Sequence, residues 1–142
     1  MSAALPKPWY RRRWIVVLTS LVFMASLLPL AWQTYFRIRH PAPLGRSAAA
    51  IDQRLSELLP PGTSLDSATH VLRTAGAEFA VLEADDAAVA RDSLAMGGPV
   101  IQAAARDLDA DLLFTYAASI RLSFDKSRRL VGHRVQPSST GM

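Results

Sequence analysis

At 142 residues, with a formal charge of +4, half of its residues apolar and no cysteine, the chain has room for one modest core and excludes disulfides, thiolate metal centres and thiol nucleophiles. The charge is unevenly placed: Met1 to Arg46 carries seven basic residues and no acid, whereas Ser47 to Met142 carries nine basic residues against twelve acids. The larger part is therefore net acidic, which argues against a nucleic-acid partner, and the basic excess flanks an apolar run, where cations meet anionic head groups.

Between Arg13 and Arg37 lie 23 residues without a charge. As a helix they span about 34 Å, enough for a hydrocarbon core of about 30 Å, so 14–36 is predicted to be a transmembrane helix and the lipid bilayer a partner. Arg11, Arg12, Arg13 and Trp14 mark one end; Trp32 and Arg37, with Tyr35 and Phe36, mark the other. Pro29 is expected to kink the last turns. A cleaved secretory signal is the competing reading; the length of the run and the lack of small residues at peptidase spacing favour an uncleaved anchor. The three consecutive arginines on a short tail place 1–13 in the cytoplasm, and the remainder outside it, in the periplasm of a bacterium.

Residues 37–47, with two prolines and a glycine, read as a linker lifting a soluble domain, 48–136, off the bilayer. Ile51, Leu55, Leu58 and Leu59 recur on one helical face, and Pro60 and Pro61 stop it. A second helix starts at Thr63 or Ser64, buries Leu65, Ala68, Leu72 and Ala75, and ends at Gly76. Glu78 to Glu83 is a strand candidate. Asp85 to Met96 is helix or loop, and Val100 to Arg106 is strand or helix; Gly97-Gly98-Pro99 reads as a turn.

From Leu112 to Phe124 every even position is apolar or aromatic, a two-residue period that predicts a long strand with one buried face. A polar turn over Lys126 to Arg129 leads to a second strand, Leu130 to Gln136, and 137–142 is expected to be a flexible tail. The fold class is α+β: an N-terminal transmembrane helix, then a two-layer sandwich of a helical hairpin on a small antiparallel β-sheet.

The Pro61-Gly62-Thr63-Ser64 helix start, the Ala75-Gly76 helix end and the hairpin from Ile120 to Asp125 with Leu130-Val131 resemble the SmpA/OmlA family. These are small lipoproteins of the outer-membrane β-barrel assembly machine and their β-lactamase-inhibitor-like relatives. The resemblance covers roughly the last 80 residues and implies the fold and an envelope-facing binding role. The family's lipoproteins carry their lipid on an N-terminal cysteine, which this chain replaces with a helix.

Chemistry is sparse. Asp107, Asp109 and Asp111 lack the Gly and Glu of a calcium loop and read as a solvated turn. His40, His70 and His133 share no metal-ligand spacing, and there is no nucleophile elbow, phosphate loop or dinucleotide fingerprint. No catalytic residue, cofactor or metal is therefore expected. Lys126, Arg128, Arg129 and Arg134 form a basic cluster that offers a partner contact. The leading expectation is a non-enzymatic, inner-membrane-anchored periplasmic domain that binds an envelope protein. The alternative is an accessory subunit of a membrane complex acting through its transmembrane helix; a hydrolase assembled only in the fold ranks third.

Overall fold

The structure, a computed structural model, describes residues 8–90, 96–110 and 114–141. It is α+β. Helix α1, Pro8–Arg39, is followed by α2, Ala48–Leu58, and α3, Leu65–Thr74; then come strand β1, Glu78–Leu82, a single turn α4, Ala87–Ala90, and strands β2, Gly97–Ala110, β3, Phe114–Asp125, and β4, Leu130–Gly141. The four strands form one antiparallel sheet in the order β1-β2-β3-β4.

Among the described residues, one helix, the N-terminal α1, is long and apolar enough to span a membrane. Its 32 residues, Pro29 among them, form one continuous element of about 48 Å at 1.5 Å per residue. It passes the expected end at Phe36 and absorbs the first residues of the predicted linker. The rest of that linker is not a free spacer: Leu44 is only 5% exposed and Ala42 packs beside it on the core.

The hairpin of α2 and α3 follows its sequence signals. Ser47 caps α2 by accepting from Ala50 N, and Ser64 caps α3 by accepting from Ser67 N, each satisfying an amide that the first helical turn leaves unpaired. Ile51, Leu55 and Leu59 with Leu65, Ala68 and Leu72 face Ile101, Ala103, Ala118, Ile120, Leu122 and Phe124 of the sheet in one buried cluster. Leu58, predicted on the same face as Leu55, is exposed instead.

Three sequence expectations need correction. Residues 97–110 form one long strand, so neither the Gly97-Gly98-Pro99 turn nor the helical option for Val100 to Arg106 is realised, and Asp107 and Asp109 lie within that strand. The segment 137–141 is no loose tail, because Pro137 to Gly141 continue the ladder from Ala118 to Phe114; Pro137 is tolerated on an edge strand, where a missing N–H can point away from the neighbour. The buried face of β3 begins only at Ala118, since Phe114 and Tyr116 are 44% and 40% exposed. Leu112 and Asp111 lie outside the described residues.

A wide bulge sets the geometry of the far end of the sheet. Ala105 pairs with Ala118 and Asp109 with Tyr116, so Arg106, Asp107 and Leu108 stand opposite Ala117 alone. Asp107 takes a left-handed backbone, φ 52°, which an aspartate adopts more readily than most residues. The bulge turns Leu108 into the core, where it is buried, and swings its carbonyl toward the end of α1.

Candidate functional site at the helix–sheet junction and the outer sheet face

The end of α1 is locked to the bulge by two arginines. Arg37 grips Asp109 side-on, Nη2 to Oδ2 at 2.7 Å and Nε to Oδ1 at 3.4 Å. Arg46 donates through Nη1 to the Leu108 carbonyl at 2.7 Å and through Nη2 to the carbonyls of Arg37 at 2.8 Å and His40 at 3.0 Å. The last helical carbonyls have no intrahelical donor, so a cation at this end satisfies them and meets the negative pole of the helix. The Arg37 hydrogen bond is the main cause that holds the Asp109 carboxyl below its ordinary 3.8; burial opposes it, and the Ala110 amide and the Arg46 charge assist. His40 stacks on Phe36 and its Nδ1 lies 3.8 Å from Asp107.

The opposite face of the sheet carries small and polar side chains. Gln102 pairs with Arg121 and Arg121 with Arg134; Ala104 pairs with Ser119 and Ser119 with Gln136. Gln102, Ser119, Arg134 and Gln136 are exposed. Toward the bulge this face hollows into an open depression of about 550 Å³ bordered by Ala104, Asp107, Thr115, Ala117, Ser119 and Ser138. Val100 and Ser123, paired on this face, are buried, as is Val89 of α4, outside the main cluster.

Of the four basic residues predicted as a partner contact, Lys126, Arg128 and Arg129 share the turn between β3 and β4, and Arg134 lies on β4; all four are exposed. Arg128, at φ 58° in the turn, pairs with Glu83 at 3.4 Å, and its carbonyl accepts from Leu65 N. Arg129 donates to the Gly62 carbonyl at 3.2 Å. The Leu65 and Gly62 contacts fasten the terminal hairpin to the α2–α3 turn, and the Glu83 pair ties it to the end of β1. Lys126 lies along Gly97, whereas Arg134 stands on the outer face opposite Arg121. Of the predicted anchor ends, Arg12, Arg13, Trp14 and Trp32 are exposed along α1, and Arg37 serves the junction; the side chain of Arg11 is outside the described residues.

One constellation superficially joins a serine, a histidine and an aspartate. Asp52 Oδ1 lies 3.0 Å and Ser56 Oγ 3.4 Å from His133, but both approach Nε2. Activating a serine requires the hydroxyl on one ring nitrogen and the carboxylate on the other, so this set is not a relay. Ser56 also donates to the Asp52 carbonyl at 2.9 Å, an ordinary helical back-bond. His70 borders a groove between α2 and α3 with Leu58, Val71 and Arg54. Among the described residues no group of three or more His, Asp or Glu side chains could hold a metal ion. Comparison with protein-family models, with curated proteins and with solved structures finds no match to this chain.

Proposed function

We propose that this chain is a membrane-anchored, non-enzymatic binding domain of the bacterial cell envelope. In this reading α1 crosses the inner membrane with its arginine-rich end in the cytoplasm, and the domain, a two-layer sandwich of the α2–α3 hairpin on the sheet, stands in the periplasm. The observation that carries it is the outer sheet face. Ser119, Thr115 and Ser138 with Ala104 and Ala117 line a depression rimmed by Arg106 and Asp107, and exposed Gln102 and Gln136 stand on the same face beside Arg121 and Ser119, next to the edge strand β4. A face of this kind accepts a protein surface through amide hydrogen bonds, and β4, last in the strand order, is where an added strand would pair. The SmpA/OmlA resemblance points the same way, toward a partner in outer-membrane barrel assembly or envelope maintenance.

A photoreactive amino acid at Ser119 in intact cells tests this, with a second at Ala25 on α1. Capture of one envelope or barrel-assembly component at Ser119, lost when Ala104 is replaced by Arg, supports the reading. Capture at Ala25 alone would transfer the specific contact to the helix and make the chain an accessory subunit of a membrane complex. No capture at either position would remove the binding role.

A further inference from the structure

The bulge fixes the direction in which the sheet approaches α1. Asp107 lies beside His40, and Asp109 is held by Arg37. Moving from Asp107 to Asp109 along β2 therefore means moving back along α1, toward its apolar part. Tyr116 is the cross-strand partner of Asp109, and Phe114 stands two residues further in the same direction. Two strand residues are about 7 Å, equal to between about four and five helical residues. Counted back from Arg37, that step sets Phe114 level with Trp32 and Gln33. Burial along α1 agrees: in the turns before His40 the helix is exposed all round except at Gln33 and Phe36, which are half-covered on the side of His40.

We propose that the sheet end carrying Phe114 and Tyr116 is a second membrane contact, inserted at the boundary of head groups and acyl chains beside the outer end of α1. The inference rests on α1 being a membrane anchor. Lipid is the occupant that continuity selects. Phe114 is 44% exposed, Trp32, with which the count along the strand aligns it, is exposed on α1 as well, and aromatic rings favour the interface level of a bilayer. Arg39, exposed in the last turn of α1 and lying over the Tyr35 ring, stands where anionic head groups would meet it, whereas Arg37 is neutralised by Asp109. Attachment at two points, rather than at a swivelling linker, fixes the tilt of the domain. The depression bordered by Thr115, Ala117 and Ser138 then opens just above the bilayer surface, so a partner reaches it along the membrane.

The chain has no cysteine, so single cysteines can carry a nitroxide label without a background. Full-length protein with Phe114→Cys, Ser127→Cys or Val22→Cys is reconstituted into vesicles of phosphatidylethanolamine and phosphatidylglycerol. Collisions with oxygen, which concentrates in lipid, are compared with collisions with a water-soluble nickel chelate. The expected result is loss of nickel access at Phe114 with oxygen access kept, as at Val22, while Ser127 in the distal turn keeps nickel access. Nickel access at Phe114 equal to that at Ser127 overturns the proposal. So does loss of both reagents there, which would mean cover by a second copy of the chain. Nickel access at Val22 would instead refute the anchor itself. If Phe114→Cys loses its sheet circular dichroism, Tyr116→Cys takes its place and is read in the same way.

Discussion

Arg46 donates to the main-chain carbonyl of Leu108 at 2.7 Å across 62 residues of sequence. Its other terminal nitrogen holds the carbonyls of Arg37 and His40, so one half-buried guanidinium joins the end of α1, the following turn and the sheet. Hydrogen bonds from a charged donor contribute about 1.5–3 kcal/mol each and do not add fully, so Arg46→Ala is expected to cost about 2–4 kcal/mol. Arg46→Lys should recover only part of this, because an ammonium cannot reproduce the planar fork. Thermal unfolding of the full chain in detergent micelles, followed by sheet circular dichroism, measures both. Wild-type stability of Arg46→Ala would mean that the junction is not a structural unit.

Asp109 makes the same junction sensitive to acid. Its carboxyl is held below the ordinary value of 3.8, chiefly by the hydrogen bond from Arg37, so near that value the folded state binds fewer protons than the unfolded state. The stabilisation is therefore complete above the ordinary carboxylate range and is lost as pH falls through the folded value. Asp109→Asn removes the titrating group. The difference in melting temperature between wild type and Asp109→Asn is expected to be largest near neutrality and to shrink as pH falls below about 4. Acid effects common to both proteins cancel in that difference. A constant gap across the titration would show that the Arg37 pair is too well solvated to matter.

Ser123 offers a substitution in the opposite direction. Its hydroxyl is buried opposite Val100 and meets no hydrogen-bond partner among the described residues. Such a group keeps its desolvation cost without a compensating bond, so Ser123→Ala is expected to stabilise the chain by about 1 kcal/mol. The denaturant midpoint of the full chain reads the effect. A loss of similar size would mean that the hydroxyl is bonded after all.

These residues also separate what local sequence encodes from what only the tertiary fold assembles. The face of Ile51, Leu55 and Leu59, the Ser64 cap and the alternation from Ala118 to Phe124 are local signals, and they are realised where expected. Strand β2 is ambiguous because Ala103-Ala104-Ala105 gives little contrast between faces, and the bulge at Arg106 to Leu108 then resets the alternation. Asp107 and Asp109 read as a solvated acidic turn for the same reason, yet one shapes the bulge and the other binds Arg37. Arg37 and Arg46 carry a double meaning: beside an apolar run a basic residue reads as a membrane flank, and no local spacing reveals a partner 72 residues away for Arg37. The depression on the outer face is equally silent, since small and polar residues at alternate positions are what any solvated sheet face contains.

Gly98 tests the register that places all of these groups. A Cβ built there would collide with the carbonyl oxygens of Asp125 and Phe124, so the two main chains approach closely where the ladder shifts between Gly97 and Val100. Main-chain atoms cannot rotate aside as a side chain could. Gly98→Ala is therefore expected to force β2 from β3 at this end and to cost about 3 kcal/mol or more. Gly132 in β4 is the matched control: among the described residues no atom beyond its chain neighbours lies within 4 Å of its added Cβ, and Gly132→Ala should be neutral or stabilise by up to about 1 kcal/mol through the unfolded chain. Denaturant unfolding of the two variants in micelles compares them directly. If Gly98→Ala unfolds at the wild-type midpoint, the close approach is absent and the register of β2 against β3 must slip, which would also move Asp109 away from Arg37 and Phe114 away from the level of Trp32.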